Sequence, residues 1–139
     1  MSGQHKGHRD RGAAAVEMAL VLPILLILIF GMIDFGRMLN YQMRVTNAAR
    51  DGVRMAAMGL PGDISARVNA SGLKHLTIVA DDPNPCTTSP DTDTPTSVTV
   101  TYPFTFITPL GPLVKIFDSS STLGGSLDLS STATMRCGG

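Results

Sequence analysis

The chain has 139 residues, with 11 basic and 11 acidic side chains and a formal net charge of zero. Hydrophobic residues make up 43% of it, but 18 of the 21 residues in 13–33 are apolar, which leaves the rest leaner than the roughly 45–50% of a globular domain. This excludes a large catalytic fold such as a doubly wound sheet or a barrel, and the lack of a basic excess argues against nucleic acid as a partner. Residues 1–58 carry a net of +3 and residues 59–139 a net of −3.

The first predicted element is a membrane helix over 13–33. Met18–Ile33 contains no charge. At 1.5 Å per residue those 16 residues make about 24 Å of helix, and reaching back to Ala13 supplies the roughly 20 residues that a bilayer core needs. The run is longer than the apolar region of a cleaved signal peptide, and Asp34-Phe35-Gly36-Arg37 follows it in place of a small-x-small site. Pro23 predicts a mild kink of a kind that membrane helices tolerate. Glu17 lies inside the span near one end, where a carboxylate costs free energy and asks for a role. The flanking Lys and Arg are nearly balanced. The short polar segment 1–12 is expected to stay in the cytoplasm, with the C-terminal part outside.

Past Ile33, Phe35, Met38, Gln42, Val45, Ala49, Val53 and Ala56 recur at helical spacing. They predict an amphipathic extension of the same helix over 34–58, with Gly59 as its stop signal. The whole helix would hold about 46 residues and measure about 70 Å. Ala48, Gly52 and Ala56 form a small-residue strip at four-residue spacing, which permits close approach of another helix or sheet. The strip equally suits packing onto the chain's own small domain.

Residues 59–139 are expected to form a small β-rich extracytoplasmic domain. Asp63 could cap a short helix over Ile64–Ala70, ended by Gly72. Strands are predicted at Leu76–Ala80, at Ser97–Tyr102 and at Leu127–Met135, the second prolonged irregularly beyond Pro103 toward Ile107. A half-exposed, three-stranded antiparallel sheet follows, with the amphipathic helix covering its apolar face. The fold class is therefore α+β. Cys86 and Cys137 are expected to pair, because they would lie in an oxidising compartment.

No nucleophile elbow, phosphate loop or zinc-protease motif occurs. His5 and His8, His75, and the pair Asp91 and Asp93 are too sparse for a metal site. No enzyme, cofactor, metal or small-molecule substrate is expected.

Arg11-Gly12-Ala13-Ala14-Ala15-Val16-Glu17-Met18-Ala19-Leu20-Val21-Leu22-Pro23 closely resembles the start of TadE-like proteins of the tight-adherence (Flp) pilus system. Phe30–Arg37 and Thr46–Arg54 resemble the segments that follow, and Ala133-Thr134-Met135-Arg136 resembles the closing strand. The resemblance implies a single-pass minor pilin or pseudopilin whose partners are the lipid membrane, other pilin-like subunits and a prepilin peptidase. It also implies cleavage between Gly12 and Ala13, which makes Glu17 the fifth residue of the mature chain. Ala13 is smaller than the first residue common in major pilins. The new ammonium of Ala13 and the Glu17 carboxylate could then neutralise one another in a low dielectric. A membrane-tethered binding module, neither processed nor part of a pilus, is the alternative.

Overall fold

A computed structural model describes residues 7–81, 84–88, 93–109, 111 and 125–138. His5 and Asp91, and much of the two Pro-containing loops, lie outside the described residues. The first helix, α1, spans Gly7–Ala57 and runs unbroken through Pro23. It begins six residues before the expected Ala13. Gly7 and Gly12 each disfavour helix by about 1 kcal/mol, but extending a helix that already exists avoids the nucleation cost. The described residues fall into two compact units: 7–35 with 107–109 and 111, and those within 36–106 with 125–138.

In the first unit α1 is the apolar segment. Its most apolar 18-residue window has a mean hydropathy of 2.7, and none of that window is buried. Length and composition suffice to cross a membrane.

The second unit contains the remainder of α1, a 3-10 turn over Pro61–Asp63, α2 (Ile64–Asn69), β1 (Thr77–Ala80), α3 (Pro85–Thr88), β2 (Pro95–Thr105) and β3 (Ser126–Arg136). The strands form one antiparallel sheet in the order β1-β2-β3, so the α+β architecture expected from the sequence is the one observed. Period-two alternation puts Thr96, Val98, Val100 and Phe104 of β2 on the buried face. The registers Ile78↔Val100 and Val98↔Ala133 bring the apolar residues of the outer strands onto that face. Val45, Ala49 and Val53 of α1 and Val68 of α2 close the core from the other side. Each fully buried aliphatic side chain of this kind contributes about 1.5–3 kcal/mol.

Three details differ from the sequence expectation. The buried stripe of α1 runs through Val45, Ala48, Ala49, Gly52, Val53 and Ala56, with Tyr41 packed at its edge. Phe35 is exposed, and Gln42 is used for polarity, donating to the Ser130 carbonyl at 3.1 Å. Asp63 makes no capping hydrogen bond, because it is already in helical conformation at the end of the 3-10 turn and a cap requires an extended backbone. β2 continues through Pro103 without a break. Its pairing with β1 ends at Thr77↔Thr101, so Pro103 has a strand on one side only, a setting in which a strand tolerates proline.

The C-terminus of α1 ends as Gly59 predicts. Gly59 has φ +71°. Its N–H donates to the Ala56 carbonyl and the Leu60 N–H to the Met55 carbonyl, both at 3.0 Å, the double bond pattern of a Schellman stop.

Candidate functional site

The residues singled out by sequence divide between the two units. In the first, Gly12, Ala13 and Glu17 all lie on α1 and are exposed. A Cβ added to Gly12 would meet nothing within 4 Å. Glu17 is four residues after Ala13, one turn along the same face. Among the described residues nothing forms a hydrogen bond or ion pair with Glu17.

Around Glu17 the helix presents large apolar side chains to its surroundings, among them Val16 at 62% exposure, Met18 at 63% and Leu20 at 70%. A continuous exposed apolar surface of this kind is unfavourable in water and marks contact with lipid or with other helices. The Cβ positions of Gly31 and Gly36 are likewise open.

At the end of the apolar run Asp34 is 1% exposed. Its carboxylate accepts from the Ile107 N–H at 3.4 Å, from the Thr108 N–H at 3.3 Å and from the Thr108 hydroxyl. A buried carboxylate is tolerated when donors surround it in this way. Sequence reasoning treated Asp34 only as the charge that ends the span. Its position directly after a charge-free run, within a family-like segment, was the available signal.

In the second unit, Ala48, Gly52 and Ala56 face the chain's own core. Ala48 and Ala56 are 2% and 1% exposed. A Cβ on Gly52 would lie 2.8 Å from Val68 Cγ2 and 3.2 Å from Val98 Cγ1. The strip thus lets α2 and β2 approach α1 closely. Cys86 on α3 and Cys137 just after β3 form a disulfide, with S–S 2.09 Å and Cα–Cα 5.3 Å. The bridge sits beside the end of α1, where the Gly138 N–H donates to the Ala57 carbonyl at 3.1 Å.

An open groove of about 470 Å³ lies between α2, β1 and α3, lined in part by Ile64, Ser65, Ile78, Asp81 and Asn84. Its one carboxylate is occupied: Asp81 accepts from the Ser97 N–H at 2.6 Å and from the Ser97 hydroxyl at 3.0 Å. Asp93, exposed, pairs with Arg136 at 2.7 Å. Among the described residues no three His, Cys, Asp or Glu side chains gather in a way that could hold a metal.

The open face at Gly12, the exposed Glu17 and the buried Asp34 all fall in one stretch of α1, and that stretch is the part of the chain that compares with known proteins. Residues 12–54 match the TadE-like protein family. The TadE-like segment therefore covers the apolar half of α1 and most of the half that packs on the sheet, and the resemblance read from the sequence holds over those residues. No curated protein and no solved structure matches the chain significantly.

Proposed function

We propose that this protein is a non-enzymatic, membrane-anchored minor pilin or pseudopilin that acts in assembly of a tight-adherence pilus. The observation that carries the reading is that the TadE-like match over residues 12–54 falls on a helix long and apolar enough to cross a membrane. A helix built in this way joins other pilin-like helices through its lipid-facing surface, while the small disulfide-bonded unit makes contacts outside the membrane. In this reading residues 1–12 are a cytoplasmic leader that a prepilin peptidase removes between Gly12 and Ala13. Glu17 then pairs with the new Ala13 ammonium of its own chain or of a neighbour.

Glu17→Gln tests the assembly role. Losing a charge makes the span more apolar, so the variant inserts normally. Removing one partner of a buried ion pair costs about 3–5 kcal/mol, so recovery of pilin partners and pilus output fall by orders of magnitude at matched membrane abundance. Equal recovery rejects the pairing role. Intact-mass measurement separates the processed pseudopilin, with Ala13 first, from an unprocessed membrane-tethered module that retains residues 1–12.

A further inference from the structure

We infer that the outer edge of β3, beside Arg50 of α1, is a strand-addition site for an extended segment of a partner protein that carries an acidic side chain. The inference uses only the sheet and the part of α1 packed on it, so it goes beyond the assembly reading and does not depend on it.

Hydrogen-bond parity identifies the free groups. The Cys137 N–H donates to the Thr94 carbonyl at 3.0 Å, which continues the register of Pro95↔Arg136 by one residue. Odd-numbered residues of β3 therefore direct their backbone groups to β2, and even-numbered residues direct theirs outward. Gln42 agrees from the other side, since its amide donates to the Ser130 carbonyl. Beyond Ser130 the N–H and C=O groups of Thr132 and Thr134 point outward, and nothing among the described residues bonds them. β3 is 11 residues long, against four for β1 at the opposite edge. A long edge with bare backbone groups is a template for a further strand.

The groove beside this edge sets the partner's chemistry. It holds about 400 Å³ between β3 and α1 and is lined in part by Thr46, Arg50, Val53, Ala133 and Met135. Ala133 and Met135 pack on the core yet stay partly exposed, so an added strand would complete their cover. Arg50 is exposed, and among the described residues it has no hydrogen bond or ion pair. Arg54, also exposed, follows one turn along α1, while Asp51 is turned about 100° round the helix from Arg50. Opposed residues of an antiparallel pair share a face. Side chains of the added strand opposite Ser131 and Ala133 therefore face α1, where an Asp or Glu meets Arg50. A second copy of β3 supplies no such acid. Paired even with even, it would turn Leu127, Leu129, Ser131, Ala133 and Met135 toward α1 and Asp128 to the other face. The occupant is thus a segment of a different protein, with an acid among its α1-facing residues.

The probe is a fluorescent peptide of alternating threonine and valine with one central valine replaced by aspartate, N-methylated along one edge so that it cannot pair with itself. Its control carries asparagine in place of the aspartate. Anisotropy measures binding of each peptide to the full chain in detergent. The aspartate peptide should bind about fivefold more tightly than the control, and Arg50→Gln should remove that difference without abolishing binding. Thr134→Pro deletes an outward N–H and leaves the ladder to β2 intact, a place where an edge strand tolerates proline. It should weaken both peptides about tenfold or more. Amide exchange read by NMR should show Thr132 and Thr134 protected only when peptide is bound, and Ser131 and Ala133 protected throughout. If urea melts show Thr134→Pro unfolded, the protection of the Thr132 and Thr134 amides decides alone. Absence of binding, or binding that leaves those amides unprotected or is indifferent to a folded Thr134→Pro, overturns the site. Equal affinity for the two peptides overturns the acidic partner. A dimer of the protein alone that Thr134→Pro dissolves gives the edge to a second copy and overturns the proposal.

Discussion

The side-chain amide of Asn84 donates to the carbonyl oxygen of Ala56 at 2.9 Å, so a loop residue 28 positions further along closes the last turn of α1. The same amide oxygen accepts from the Cys86 N–H at 2.9 Å, and the Asn84 backbone carbonyl accepts from the Thr87 hydroxyl at 2.8 Å. Asn84 is 6% exposed. Asn84→Ala orphans the Cys86 N–H and removes one of the two donors to the Ala56 carbonyl, which keeps the Gly59 N–H, and should cost about 1–3 kcal/mol. Urea unfolding of the full chain in detergent measures it. Asn84→Asp keeps the acceptor for Cys86 but sets a carboxylate against the Ala56 carbonyl, and should cost at least as much.

The disulfide spans 51 positions. By the loop-entropy model a loop of that length stabilises by about 4 kcal/mol. Reduction, or the double variant Cys86→Ser with Cys137→Ser, should lower the unfolding midpoint accordingly. Neither cysteine should react with thiol reagents before reduction, and rapid labelling of unreduced protein would contradict the bridge.

Two glycines of α1 should respond oppositely to alanine. A helix interior gains about 1 kcal/mol from Gly→Ala. At Gly36 nothing lies within 4 Å of the new Cβ, so Gly36→Ala should realise that gain. At Gly52 the Cβ would press on Val68 and Val98, both β-branched and fully buried. Overpacking of this kind costs about 1–3 kcal/mol, so Gly52→Ala should be neutral to destabilising and Gly52→Val clearly destabilising. Paired thermal or urea melts of the two alanine variants check the sign.

Burial raises the Tyr102 phenol above its ordinary value, and the charge and hydrogen bond of the neighbouring Tyr41 raise it further against the opposing pull of Arg37 and Arg44. The folded state therefore favours the neutral phenol more than the unfolded state does. Stability from this group is fully present below about pH 10, the ordinary phenol range, and is lost as pH rises through the raised value. Phenolate absorbance should show Tyr102 ionising later than a free phenol, and Tyr102→Phe should flatten the alkaline decline in stability.

Much of the architecture was legible because it is locally encoded. The charge-free Met18–Ile33 run, the alternation of Ser97–Tyr102 and Leu127–Met135, and the stop at Gly59 all reflect backbone periodicity and solvent partition within a few residues. The pairing of Cys86 with Cys137 was reachable from topology, with only two cysteines to join. Asp34 and Asn84 were not legible in these terms. Their partners lie 73–74 and 28 positions away, and no local pattern reports a hydrogen bond across that distance.

The sequence by itself determined that an apolar helix passes into a small antiparallel sheet, because each segment's periodicity admits one regular structure. Tertiary structure alone decided how the surfaces are used. Ala48, Gly52 and Ala56 could have served another helix or the chain's own core, and the packing of Val68 and Val98 against Gly52 settled it. Likewise Asp34 became a buried acceptor while Glu17 stayed exposed on the same helix. Both are lone carboxylates beside an apolar run, and only the fold brings the N–H groups of Ile107 and Thr108 to one of them.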